Sequence, residues 1–83
     1  MDTAIVVIDL HGMRAQEAQA RIDAALAKAG PGVYRIRLIH GYNSGTALQA
    51  MIRREFGYGL SPKVKKIVPG SNRGITELVL REY

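Results

Sequence analysis

The sequence predicts a small α/β domain with the element order β-α-β-α-β-β. Two observations carry that prediction. Apolar residues switch along the chain between strand-like runs and a helical spacing of three and four. Gly- or Pro-containing breaks then punctuate the elements, as turns require. The length of 83 residues fits one domain, spanning 1–83, and no more.

Ala4-Ile5-Val6-Val7-Ile8 is a continuous, largely β-branched run, the pattern of a strand covered on its flanks. From Arg14 to Ala29 the apolar positions Ala15, Ala18, Ile22, Ala25, Leu26 and Ala29 share one helical face. Gly30-Pro31-Gly32 stops that helix. Val33 to Ile39 alternates Tyr34, Ile36 and Leu38 against Arg35 and Arg37, a second strand with a solvated arginine face. Leu48, Met51, Ile52 and Phe56 mark a second helix, ended by Gly57 and Gly59. Val64 to Val68 and Ile75 to Arg81 read as two further strands in a loose hairpin. Lys63, Lys65 and Lys66, with Pro62 and Pro69 on either side, place the first of that pair at a sheet edge. The last strand reads as interior. Right-handed crossovers make the first three strands parallel.

Composition narrows the function classes. There is no cysteine, which excludes a disulfide framework and any thiolate metal site. Packing alone must hold the domain, and a chain this short buries only about 60–65% of its unfolded surface. The run at Ala4–Ile8 is too short to span a membrane, and Asp9 interrupts it before it becomes a signal peptide. A cytoplasmic monomer with no membrane partner is the resulting expectation. Twelve Lys and Arg against seven Asp and Glu leave a formal charge of +5, which serves solubility and also attracts phosphate.

The residues able to do chemistry cluster at strand ends. Asp9-Leu10-His11-Gly12 closes the first strand and His40-Gly41 the second. Asp9 and His11 lie two apart, so they share a face in extended chain. Parallel strands bring both carboxyl ends to one edge, where open α/β sheets bind ligands. Asp9, His11 and His40 are therefore the candidate catalytic set. Tyr42, Asn43, Ser44, Gly45 and Thr46 precede or open the second helix, whose unpaired N–H groups and dipole favour a phosphate. Gly12 and Gly41 permit close backbone approach. Arg14, at the start of the first helix where a capping side chain is the norm, hints at a nearby anion. Arg73, in the late turn, completes the candidate nucleic-acid-binding set.

Ile8-Asp9-Leu10-His11-Gly12 before an Ala/Glu-rich helix, then Leu38-Ile39-His40-Gly41 and a Gly-containing turn, resembles the small MutS-related (Smr) domain family over nearly the whole chain. The resemblance implies a two-layer fold similar to the C-terminal domain of translation initiation factor three. Its four-stranded mixed sheet has the order 1-2-4-3, with both helices on one face. It also implies nucleic-acid binding and, for several members, DNA nicking or RNA cleavage, with the ribosome among the implied partners. In the family pattern His-Gly-x-Gly-x-Gly, this chain has Tyr42 where Lys is frequent and Asn43 in place of the middle glycine.

Two chemistries suit Asp9, His11 and His40. In one, the histidines act as base and acid on a ribose 2′-hydroxyl and the leaving 5′-oxygen, while Asp9 orients an imidazole. In the other, all three ligate a divalent metal that activates water. The first needs no metal and is preferred, because no second carboxylate lies nearby in sequence. The alternative function is a catalytically inactive module that binds RNA or structured DNA, in ribosome quality control or in DNA repair and recombination.

Overall fold

β1 spans Ala4–Asp9, α1 Ala15–Lys28, β2 Val33–Ile39, α2 Gly45–Phe56, β3 Lys66–Pro69 and β4 Ile75–Val79 in the computed structural model. It describes residues 4–41, 45–57 and 61–81. The strands lie in the order 1-2-4-3. β1 pairs parallel with β2, and β4 runs antiparallel between β2 and β3. β1, β2 and β3 thus share one direction, and their carboxyl ends share one edge of the sheet.

Period-two alternation decides what faces the helices. Ile8, Ile36, Leu38 and Leu78 point to one side and are buried with Ala18, Ile22 and Leu26 of α1 and Leu48, Met51, Ile52 and Phe56 of α2. One cluster shared by both helices and the sheet means both helices cover the same face. Each fully buried Leu or Ile is worth about 1.5–3 kcal/mol over leaving it in water. This single layer therefore holds a chain that has no covalent cross-link.

The other face is uncovered, and this corrects two expectations. β1 is an edge strand shielded on one side only, with Ile5 and Val7 exposed. A continuous apolar run cannot by itself report which of its faces will find a partner. Nor are Arg35 and Arg37 simply solvated. Glu77, paired across the ladder with Arg37, is buried and accepts hydrogen bonds from Arg35 Nη1 at 2.7 Å and Arg37 Nε at 2.8 Å.

Smaller differences concern the hairpin. β3 starts at Lys66 rather than Val64, because the Val64 side chain turns into the core first. β4 ends at Val79 because the N–H groups of Leu80 and Arg81 both donate to the Tyr34 carbonyl, at 2.8 and 3.2 Å, which breaks the one-to-one ladder. Gly70 lets the connection close: a Cβ there would fall 2.3 Å from Ile75 Cγ2.

Candidate functional site

The site grows from the end of β1. Leu10, fully buried, anchors the chain as it leaves the sheet, and its N–H donates to the Ile39 carbonyl at 2.7 Å. The chain then turns, with the Met13 N–H on the Leu10 carbonyl at 3.0 Å and Gly12 at φ +79°. Asp9 and His11 flank Leu10 and are exposed, on the side away from the helices. Asp9 Oδ1 accepts the His11 backbone N–H at 3.1 Å and His11 Nδ1–H at 2.5 Å. These two hydrogen bonds hold the Asp9 carboxyl below its ordinary pKa. A carboxylate only accepts, so Nδ1 carries the hydrogen and the neutral ring presents its Nε2 lone pair outward. Among the described residues Nε2 has no partner. The His11 side chain is 71% exposed.

His40 follows β2 on the same sheet edge but on the other face. Alternation continued past Ile39 sends its ring to the helix side, with Leu38 and Thr76. The residue is 1% exposed. Nδ1–H donates to the Gly41 carbonyl at 3.0 Å, and in the neutral ring Nε2 accepts the Thr76 hydroxyl at 2.8 Å. The sequence led us to expect two accessible imidazoles. The structure has one accessible imidazole and one buried, fully engaged one, because His11 lies two residues past the paired Asp9–Ile39 level and His40 only one past it, which sends them to opposite faces.

Gly41 is where the segments meet. Its φ of +82° suits glycine, and a Cβ on it would lie 3.6 Å from His11 Cβ. The Gly74 carbonyl accepts the N–H groups of both His40 and Gly41, at 2.9 and 3.1 Å. Asn72 Oδ1 in turn accepts the Gly74 N–H at 2.8 Å. Arg73, between Asn72 and Gly74 in this turn, is exposed. Gly74 and Thr76 escaped the sequence reading as site residues. The available signal was Thr76 itself, a polar residue on the same parity as the core-facing Leu78.

Arg14 is the N-cap of α1 and makes no side-chain cap hydrogen bond, so the orphan N–H groups of that helix lack the usual partner. Gly45 and Thr46 open α2. Tyr42, Asn43 and Ser44 lie outside the described residues. The metal alternative needs three ligands together, and no group of three or more His, Asp or Glu side chains among the described residues is placed to hold an ion. Asp9 and His11 offer two, and the His40 ring faces elsewhere.

Comparison with known proteins agrees with this fold. The family model of the Smr domain matches residues 8–76, a span that begins one residue before Asp9 and ends at the threonine holding His40. The crystal structure of the Smr domain of Thermus thermophilus MutS2 is similar at a TM-score of 0.79 and 29% identity, covering 93% of this chain and 99% of that one. No curated protein matches the chain. With the fold, the strand-end motifs and the family model in agreement, the chain belongs to the Smr domain family, whose members generally bind or nick nucleic acid.

Proposed function

We propose that this chain binds single-stranded nucleic acid at the carboxyl edge of its sheet and cleaves RNA there, with His11 as general base. The observation that supports this reading is the exposed Asp9–His11 pair, in which the Nδ1 of His11 is held by the carboxylate and its Cβ lies against the glycine corner at Gly41. In the reaction, His11 Nε2 takes the proton of a ribose 2′-hydroxyl. The freed oxygen bonds to phosphorus, the P–O5′ bond breaks, and water supplies the proton to the departing 5′-oxygen. The products are a 2′,3′-cyclic phosphate and a 5′-hydroxyl. Asp9 is a positioning residue that fixes the tautomer and stabilises the imidazolium. His40 acts at one remove, by holding the Gly41 loop to Thr76. A positioned general base is typically worth about 10²–10⁴-fold in rate.

The second reading, binding without chemistry, draws on the burial of His40, which removes the second imidazole from the solvent side. Labelled RNA and its deoxy counterpart, each with and without chelator, separate the two. RNA cut in chelator, with deoxy strands intact and the rate lowered about 10²–10⁴-fold in His11→Ala and Asp9→Asn, supports the general-base reading. Bound but uncut RNA supports the binder. Equal cutting of DNA overturns the 2′-hydroxyl route, and no binding of either nucleic acid overturns both readings.

A further inference from the structure

Outside the Asp9–His11 corner, the molecule carries a second concave feature on the opposite flank of the sheet. A groove of about 440 Å³ runs between α2 and the open edge of β3. Gln49, Arg53, Lys65 and Lys66 form its polar rim, and Ile67 and Pro69 contribute apolar floor. Arg53 and Lys65 are exposed, and no carboxylate lines the groove among the described residues. Lysines on an edge strand commonly serve only to discourage sheet-to-sheet pairing. Here, however, an arginine from a different element joins them across an apolar floor. Cations over a sequence-tolerant apolar surface are what a nucleic-acid strand requires: charge for the backbone, contact area for base and sugar.

The groove is also connected to the corner already described. β3 runs parallel to β1 and β2, so its Pro69 end opens on the same carboxyl edge as Asp9. The groove lies on the helix side of the sheet and Asp9 on the other, so a strand reaching both passes over that edge. Thr76 lines the groove and holds the His40 ring. His40 precedes Gly41, against which His11 sits. Three strand spacings, about 14 Å, separate β1 from β3. That span suits a strand of several nucleotides rather than one.

We infer that the α2–β3 groove is a second subsite for single-stranded nucleic acid, receiving the part of the strand that extends beyond the bond at His11, with Arg53 and Lys65 on its phosphates. The inference rests on the reading under Proposed function and adds the strand's path to it.

Arg53→Ala/Lys65→Ala is the test variant, since both side chains are exposed and neither touches the Asp9–His11 corner. Its binding is compared with that of the unmodified protein for a dinucleotide and for an oligomer of about ten nucleotides, a length within the usual range for such grooves. The double variant is expected to lose about tenfold in affinity for the longer strand while binding the dinucleotide unchanged. The plot of log affinity against log salt for the longer strand becomes shallower by about 1.4, at about 0.7 per phosphate released. Arg53→Lys/Lys65→Arg, which keeps both charges, restores most of the affinity. Equal affinity of variant and unmodified protein for the longer strand overturns the subsite and leaves the corner reading standing. Displacement of the RNA by polyglutamate as effectively as by an oligonucleotide of equal charge overturns it in favour of an acidic-peptide groove. Failure of the unmodified protein to bind any strand overturns the corner reading, and the subsite with it.

Discussion

Which nitrogen of an imidazole carries the hydrogen depends on the partner of the other one, and the two histidines here have opposite circumstances. His11 spends Nδ1 on an exposed carboxylate and keeps Nε2 for solvent or substrate. His40 spends both nitrogens inside the protein. The same side chain is therefore open to solvent in one place and a joint in the other. Truncating His40 to Ala leaves the Thr76 hydroxyl without its partner and opens a void, so His40→Ala and Thr76→Val should each cost about 1–3 kcal/mol in chemical denaturation. His11→Ala should stay within about 0.5 kcal/mol of the unmodified protein, as exposed substitutions do. A neutral His40→Ala would remove the buried imidazole from its place as the link between β4 and the Gly41 loop.

At the scale of the element, α1 is the informative case. Its apolar face is well formed, with Ala18, Ile22 and Leu26 buried, yet its start carries Arg14 in place of a capping side chain. A cation at a helix N-terminus opposes the helix dipole and leaves N–H groups to water. Arg14→Ser should raise stability by about 1 kcal/mol, seen as a melting temperature higher by about 4–8 °C in a domain this small. If Arg14 sits there for phosphate, the same change should weaken RNA binding and make its salt dependence shallower by about 0.7 in slope. A more stable variant with an unaltered slope would take Arg14 out of the interface.

For the whole molecule, acid stability is governed by the uncovered face. Burial would raise the pKa of Glu77, but hydrogen bonds from Arg37 and Arg35 outweigh it and the net shift is downward. A depressed carboxyl stabilises the fold above its unfolded pKa, and this contribution is lost as pH falls through the folded value. Stability should therefore decline from the ordinary glutamate range downward. In Glu77→Gln that part of the decline should vanish. At neutral pH the substitution should cost about 1–3 kcal/mol, less than for a fully buried ion pair because the arginine side chains are about one-third exposed. Denaturant titrations at a series of pH values read both effects. A Glu77→Gln curve parallel to that of the unmodified protein throughout the acid range would contradict this assignment.

Local information sufficed for element type and order, the Gly-Pro-Gly stop, the edge position of the lysine-bearing strand, and the shared face of Asp9 and His11 two residues apart. Each depends on neighbours in the chain, through side-chain period, turn chemistry or reach of a short side chain. Other properties depended on partners thirty or more residues distant. Tertiary structure alone decided that β1 is covered on one face, that Arg35 and Arg37 clamp Glu77, and that His40 is sealed against Thr76. Strand pairing sets which residues share a level, and alternation from that level sends a side chain to solvent or core. The sequence could bring the two histidines to one edge of the sheet, but only the folded register could put them on opposite faces of it.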